Sequence, residues 1–320
     1  MDNPRVLITV PFRERHLAAL REAAPKATFT QVVKPERDQL RALLQEADVV
    51  IGEPSPLLLA EGTPVQWVQM TWAGTDLYTR GPVPFPAGMR LTNVAGAAYG
   101  HTISQYIVGQ ALALMQNTHI YLRQQEQEVW QDVGWVMSFE GATVLIFGTG
   151  DIGSTTARRL TGFDCDRIMG VCRDTARPRP GFDELVTLED AEALLPEADV
   201  IINCLPNTPE TAGYLDERRL RLMRDGSILI NVGRGNFVDC AALARVLAEG
   251  RLRGAALDVT DPEPLPAGHP LWAEPRCLIT PHASGGAFGK SPGTEDRICA
   301  VACENLRRFV AGEELTHVVI

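Results

Sequence analysis

The stretch ATVLIFGTGDIG, residues 142–153, decides how this chain folds. Its first six residues form an apolar run, which predicts a buried strand. The run leads into a G-x-G-x-x-G turn and then into the helical pattern of residues 154–160. Strand, glycine turn and helix therefore follow in the order of a dinucleotide-binding βαβ unit, and the stretch predicts such a unit.

Each glycine of the turn has a physical task in that prediction. Gly148 permits a tight turn, Gly150 lets a pyrophosphate approach the backbone, and Gly153 allows close packing of helix and strand. The amide groups at the start of the helix supply donors and positive potential for the phosphates. The predicted cofactor-binding residues of the turn are Gly148, Thr149, Gly150, Asp151, Ile152 and Gly153.

The residue that reads the adenosine ribose is expected about twenty residues after the last glycine. Cys172, Arg173 and Asp174 occupy that place, with Arg177 and Arg179 nearby. Because a guanidinium group suits a 2′-phosphate, we predict that Arg173 binds the cofactor and that the cofactor is NADP. The alternative is NAD, with Asp174 on the ribose and Arg173 a solvated loop residue.

Apolar runs alternate with helical patterns along the whole chain, which predicts the α/β class with parallel sheets. The first hundred residues contain four strand-like runs and a helical pattern over 14–23. A second series of six strands follows, which suits a nucleotide-binding fold. One long helix is predicted over 101–125, another over 295–310, and the apolar residues 317–320 are expected to return to the first domain. The ten predicted strands are 6–10, 48–51, 65–70, 90–94, 142–147, 167–172, 199–204, 227–232, 255–259 and 277–280.

Composition limits the classes of partner. A chain of 320 residues predicts two domains, and a net charge of −10 without a basic run argues against nucleic acid and anionic membranes. The seven cysteines include no C-x-x-C pair, and Cys299 and Cys303, four residues apart, are expected to face a core rather than a metal. Without a signal peptide or a membrane span, we expect a cytoplasmic protein.

Three further segments place polar residues directly after predicted strands, where open α/β sheets bind ligands. They are 231–235, 258–264 and 280–285. Each one alone has an ordinary structural explanation, such as a surface ion pair or a capped turn.

Together, and in this order after the glycine turn, the segments resemble the D-isomer-specific 2-hydroxyacid dehydrogenases, over about residues 60–290. The resemblance implies two Rossmann-like, flavodoxin-like domains with the active site in the cleft between them. It places the substrate domain at 1–100 and 289–320, and the dinucleotide-binding domain at 101–288.

The same resemblance implies that Arg234, Glu263 and His282 are catalytic. Reduction of a 2-oxo acid builds negative charge on the carbonyl oxygen, so a proton donor and a cation are needed beside it. His282 is expected to give the proton and Arg234 to supply the cation. Glu263 is expected to orient the imidazole and to favour its charged form, since histidine has a reference pKa of about 6.5.

Other predicted contacts rest on the resemblance alone. The segment 71–76 is similar to the family's A-G-x-D turn, so Trp72, Ala73 and Gly74 are expected to bind substrate together with Arg234 and His282. Trp72 is equally explained by ordinary packing. For Asp258, cofactor contact is favoured over the alternative of a turn or cap. The further cofactor-binding residues implied are Leu205, Pro206, Thr211, Val232, Gly233, Asp258 and Gly285.

The predicted function is an NAD(P)-dependent D-2-hydroxyacid dehydrogenase, acting as a 2-oxoacid reductase. Glyoxylate, hydroxypyruvate and larger branched or aromatic oxo acids are the candidate substrates. The alternatives are a corepressor-like protein that senses the dinucleotide and an enzyme like D-3-phosphoglycerate dehydrogenase. No metal is expected, and a homodimer is expected through residues 101–125 with Trp130 and Trp135. The chain departs from many relatives at Ser104 and Gln105, and His101 is expected to pack rather than react.

Overall fold

The computed structural model describes residues 3–320, and these form two compact units. The first unit contains the residues up to Tyr99 together with Gly286–Ile320, and the second contains Gly100–Gly285. Each unit has one parallel sheet with helices packed on it. The predicted α/β class with two parallel sheets is confirmed.

The sheet of the first unit has five parallel strands in the order β2-β1-β3-β4-β5. Four of them were predicted, and β2 was missed. Its sequence, TFTQ, is mostly exposed at the sheet edge, so it lacks the apolar run that marks a buried parallel strand. The strands are β1 Arg5–Ile8, β2 Thr28–Gln31, β3 Val49–Ile51, β4 Trp67–Gln69 and β5 Arg90–Thr92.

Helix α1 of this unit covers the predicted residues, Glu14–Ala23, and packs against the long C-terminal helix α10, Pro292–Ala311. The last residues return to the sheet as predicted, because Val318 forms an antiparallel bridge with Thr92. Leu91 donates its amide to the carbonyl of Ile320 at 2.9 Å. The short helices are α2 Arg37–Leu44, α3 Pro56–Ala60 and α4 Asp76–Thr79.

The sheet of the second unit has seven parallel strands in the order β12-β11-β10-β9-β6-β7-β8. The prediction of six strands was wrong, because it omitted the edge strand β8. This strand has three residues and no fully buried side chain, so its sequence carries little strand signal. The strands are β6 Thr143–Phe147, β7 Arg167–Val171, β8 Glu184–Val186, β9 Val200–Asn203, β10 Ile228–Asn231, β11 Gly254–Leu257 and β12 Cys277–Ile279.

The prediction of a single helix over 101–125 was also wrong. The chain forms α5, Gly100–Met115, and α6, Thr118–Glu126, separated at Asn117, which has φ 56°. Arg253 donates to the carbonyl oxygens of Leu114 and Met115 at 3.1 and 2.8 Å, which satisfies the end of α5. The remaining helices are α7 Asp151–Leu160, α8 Glu217–Leu222 and α9 Cys240–Ala248.

The seven cysteines are all free thiols. Cys299 and Cys303 are buried on α10, facing the core as predicted. Within residues 3–320, no helix is both long and apolar enough to cross a membrane.

Candidate active site

The carboxyl edge of the seven-stranded sheet has the topology of a nucleotide site. Strand β6 lies between β7, which follows it in the chain, and β9, which begins the other half of the sheet. The connections after β6 and β9 therefore diverge, and ligands of open α/β sheets bind at such a switch point. The glycine turn lies directly after β6.

The turn has the shape that a pyrophosphate requires. Gly148 has φ 98°, and a Cβ on Gly153 would lie 1.8 Å from the Gly148 carbonyl oxygen, so both positions need glycine. A Cβ on Gly150 would meet nothing within 4 Å, so the space above this residue is open. Helix α7 begins at Asp151 and directs its first amide groups to the turn. The residues therefore fit a bound dinucleotide.

The side chain of Asp151 has a role that the sequence did not reveal. Its carboxylate accepts a hydrogen bond from the amide of Gly100 at 2.7 Å, at the first residue of α5. A Cβ on Gly100 would lie 2.3 Å from Asp151 Oδ1, so glycine is needed there for the approach. Asp151 thus joins the glycine turn to the start of α5.

The end of β7 presents arginine rather than an acid. Arg173 is exposed, while the Asp174 carboxylate turns back and accepts from the amide of Ala176 at 3.2 Å. Arg179 extends from the same loop to the carbonyl oxygen of Thr149 in the glycine turn, at 3.4 Å. Three guanidinium groups, those of Arg173, Arg177 and Arg179, thus belong to the loop after β7, and that of Arg179 contacts the glycine turn.

His282 and Glu263 form an ion-pair arrangement at the other half of the edge. His282 Nδ1 lies 2.8 Å from Glu263 Oε1, and the two side chains are 53% and 43% exposed. His282 follows β12 and Glu263 belongs to the loop after β11. The carboxylate fixes one ring nitrogen, and within residues 3–320 the other, Nε2, has no hydrogen-bond partner.

The backbone of His282 is held in an unusual conformation. Its φ of 50° is in the left-handed region, which is uncommon for a residue with a side chain. The His282 amide donates to the carbonyl oxygens of Asp258 and Thr280 at 2.9 and 3.0 Å. The chain after β12 therefore turns sharply and projects the imidazole outward, and such strain is concentrated at functional sites.

Asp258 holds this loop in place. It is 2% exposed, and its Oδ1 accepts from Thr280 Oγ1 at 2.6 Å and from the Ala283 amide at 2.8 Å. Its Oδ2 accepts from the Ser284 amide at 3.0 Å. The carboxylate predicted to bind the nicotinamide thus accepts hydrogen bonds from residues before and after His282 in the chain.

Tyr106, which the sequence analysis missed, extends this network from α5. Its hydroxyl lies 2.7 Å from Thr280 Oγ1. Because Thr280 gives its one hydroxyl hydrogen to Asp258, Tyr106 donates the second bond. Burial raises the pKa of Tyr106 to about 12, so the hydroxyl keeps its proton. Tyr106 lies within an apolar helical pattern, and no local sequence signal marks its contact.

Arg234 lies in the loop after β10, on the same edge. Its carbonyl accepts from Asn231 Nδ2 at 3.1 Å, and Asn231 Oδ1 accepts in turn from Asn203 at 2.9 Å. A Cβ on Gly233 would lie 2.6 Å from the Leu205 carbonyl oxygen, so this glycine lets the loops after β9 and β10 pack together.

The remaining predicted cofactor residues shape the same loops. Thr211 is buried, and its hydroxyl donates to the Pro206 carbonyl and accepts from the Thr208 amide, both at 2.8 Å. The Val232 side chain is buried, whereas Gly285 is half-buried at the end of the His282 loop. The structure therefore brings the predicted residues of the second unit to one sheet edge.

The predicted substrate residues Trp72, Ala73 and Gly74 lie in the first unit, after β4. The Trp72 side chain is 53% exposed, so it is not a core residue. The Ala73 carbonyl accepts from Asn93 Nδ2 at 2.8 Å. Across residues 3–320, the amides of Ala73 and Gly74 find no acceptor, so two adjacent donors are available to a ligand.

Comparison with known proteins decides the family. Residues 108–284 match the profile of the D-isomer specific 2-hydroxyacid dehydrogenase, NAD binding domain. The chain belongs to the D-isomer specific 2-hydroxyacid dehydrogenase family. This family comprises NAD(P)-dependent oxidoreductases that act on 2-hydroxy and 2-oxo acids, and this chain has its NAD-binding domain.

Solved structures of the family are similar over nearly the whole chain. A D-isomer specific 2-hydroxyacid dehydrogenase family protein from Aeromonas salmonicida is 32% identical, with a TM-score of 0.86 and 99% of each chain covered. A D-isomer specific 2-hydroxyacid dehydrogenase from Xanthobacter autotrophicus, solved with NADPH and MES, is 25% identical. Its TM-score is 0.79, and 99% of this chain and 98% of that one are covered.

Among curated sequences, an uncharacterized protein from Corynebacterium melassecola is 35% identical over 261 residues, covering 78% of this chain and 81% of that protein.

Proposed function

We propose that this dehydrogenase reduces small 2-oxo acids to D-2-hydroxy acids with NADPH, and that His282 is its acid and base. The observation that carries the proposal is the contact of 2.8 Å between His282 Nδ1 and Glu263, on a loop that projects the imidazole from the sheet edge. A histidine oriented by a carboxylate, with its other nitrogen accessible, is the arrangement that general acid catalysis needs.

The proposed chemistry assigns one task to each side chain. The glycine turn would hold a nicotinamide dinucleotide, which would supply the hydride for C2 of the oxo acid. His282 gives the proton from Nε2 to the carbonyl oxygen, so that C=O becomes CH–OH. Glu263 stabilises the imidazolium before transfer, and Arg234 stabilises the negative charge that develops on the oxygen. In the reverse direction, neutral His282 accepts the proton.

The proposed cofactor site uses the glycine turn for the pyrophosphate and the loop after β7 for the ribose. Arg173 and Arg179 are the residues proposed to favour a 2′-phosphate, because Asp174 is engaged by the Ala176 amide in its own loop. The Xanthobacter relative was solved with NADPH, which supports the same preference. NAD remains the alternative.

We further propose that the first unit is the substrate domain and the second the cofactor domain. The amides of Ala73 and Gly74 would bind the substrate carboxylate, together with the guanidinium of Arg234. That both units serve one active site stays a prediction, and the experiments below test each unit separately.

The homodimer is also a proposal, and it rests on apolar side chains after α6. Trp130 and Trp135 are 103% and 72% exposed. Exposed aromatic side chains in one segment are typical of interfaces.

Light scattering during gel filtration is expected to show twice the chain mass for the parent protein. The double variant Trp130→Ser with Trp135→Ser is expected to show the mass of a single chain. A monomeric parent protein would contradict the proposal. The exposed apolar residues are Val129, Trp130, Val133, Trp135 and Val136.

The decisive experiment follows the nicotinamide absorbance. Purified protein is given NADPH or NADH with glyoxylate, hydroxypyruvate, pyruvate, phenylpyruvate or a branched 2-oxo acid. Turnover that prefers NADPH supports the proposal, and the best substrate defines the pocket size. Turnover with NADH alone rejects the role of Arg173. Absence of turnover with every pair would favour a dinucleotide-sensing binding protein.

A further inference from the structure

Glu53 is a half-buried carboxylate at the sheet edge of the first unit, and none of the motifs accounts for it. It lies two residues after the end of β3. Its Oε1 accepts from the amide of Thr71 at 2.6 Å and from Thr71 Oγ1 at 2.8 Å. The nearby backbone amide of Trp72 also lowers the pKa of this carboxyl group. Glu53 therefore holds Thr71, the first residue of the predicted substrate turn, and faces the amide of the next residue.

Partial burial disfavours the charged form of this carboxyl group. It raises the pKa of Glu53 despite the hydrogen bonds from Thr71 and the nearby Trp72 amide. Throughout residues 3–320, no lysine or arginine forms an ion pair with it. A partly buried acid without a cationic partner contributes little to stability, whereas its carboxylate orients polar groups strongly.

The contacts of Glu53 determine which donors of the turn remain available. The amides of Thr71 and Trp72 point to its carboxylate. On the opposite side, the Thr71 carbonyl accepts from the Tyr99 hydroxyl at 2.9 Å, and the Ala73 carbonyl accepts from Asn93. The peptide planes before and within the turn are thus fixed from two sides. Within residues 3–320, the next two amides, those of Ala73 and Gly74, have no acceptor and are left for a ligand.

We propose that Glu53 is a positioning residue, which aims the amides of Ala73 and Gly74 at the carboxylate of the 2-oxo acid. The inference rests on the proposed function, because it assumes that this turn binds the substrate. It goes further by naming the group that orients the turn.

The inference distinguishes hydrogen bonding from charge. Glutamine at position 53 keeps a carbonyl oxygen that can accept from Thr71, but leucine of similar size keeps none. Glu61→Gln is the matched control, because Glu61 is a surface acid of the same unit that pairs with Arg41.

The experiment measures kcat and KM for the best oxo acid, the Kd of NADPH by fluorescence, and the thermal midpoint. Glu53→Leu is expected to raise KM at least about tenfold, because the two donors lose their alignment. The Kd of NADPH should stay within about twofold, since the glycine turn belongs to the other unit. Glu53→Gln should keep KM within about threefold of the parent, and the control should match the parent.

Three results would overturn the inference. The first is a Glu53→Leu variant with the KM of the parent. The second is a Glu53→Gln variant whose KM rises as much as that of Glu53→Leu. The third is a Glu53→Leu variant whose Kd for NADPH rises by the same factor as its KM for the oxo acid. If the leucine variant does not fold, Thr71→Val tests the same contact, and a KM equal to that of the parent would reject the inference. A parent protein without turnover on any oxo acid would reject the proposed function, and the inference with it.

Discussion

The two sheet edges of this dehydrogenase present opposite kinds of chemistry. In the second unit, charged side chains stand at the strand ends, and His282 and Glu263 are about half exposed. In the first unit, the available donors are backbone amides, and the charged group, Glu53, is half-buried beside them. Groups proposed to meet the reacting atoms are exposed, whereas the group proposed to orient the backbone is partly covered.

This difference explains which site residues a motif can reveal. A proton donor must be a particular type of side chain, so His282 and its partner Glu263 can be identified from the sequence. Any residue except proline can supply an amide, so Ala73 and Gly74 need no special side chain. What matters in the first unit is the conformation of the turn, and Glu53 fixes it from a distance of 18 residues along the chain.

The largest effect is expected from His282→Ala at the side-chain edge. Without the proton donor, kcat/KM should fall by about 10³. NADPH binding, followed by fluorescence, should persist, because His282 is not part of the glycine turn. His282→Asn is the matched variant, since asparagine tolerates the left-handed backbone better than alanine. A fully active His282→Ala would remove the histidine from the mechanism.

Glu263→Gln should lower kcat/KM by about 10², because the amide neither stabilises the imidazolium nor selects its tautomer. The double mutant with His282→Ala gives the sharper result. If Glu263 acts through His282, adding Glu263→Gln to His282→Ala should not lower kcat/KM further. Additive losses in the double mutant would show that Glu263 acts on its own.

Arg173→Ser tests the cofactor preference at the same edge. The KM for NADPH should rise about tenfold while the KM for NADH stays unchanged, because a charged hydrogen bond to the 2′-phosphate is lost. Arg177→Ser, in the same loop, is the control. Equal changes for both cofactors would indicate that Arg173 does not read the phosphate.

The smallest effect is expected from Tyr106→Phe, which removes one hydrogen bond from the network behind His282. The free energy of unfolding should fall by about 1 kcal/mol, and kcat by about two- to threefold. Urea unfolding and steady-state kinetics measure the two changes. Thr280→Val should lower both the free energy of unfolding and kcat further than Tyr106→Phe does, since it leaves Asp258 Oδ1 without its hydroxyl donor. The reverse order would contradict the donor directions assigned here.

Much of the fold was predictable because buried parallel strands are continuous apolar runs. The edge strands β2 and β8 escaped prediction for the same reason, as both are short and have partly exposed side chains. The break between α5 and α6 could not be predicted from the sequence either. Its carbonyl groups are satisfied by Arg253, which lies more than a hundred residues away, and no local pattern encodes that contact.

The sequence by itself determined the α/β class, the glycine turn and the order of Arg234, Glu263 and His282, because each depends on local periodicity or on side chains at strand ends. Only the tertiary structure decided that Asp151 bonds to Gly100, that Tyr106 and Asp258 support the His282 loop, and that Glu53 holds Thr71 at the turn after β4. Those contacts join residues that are distant in the chain. Their partners are often backbone groups, which every sequence contains and which only folding directs.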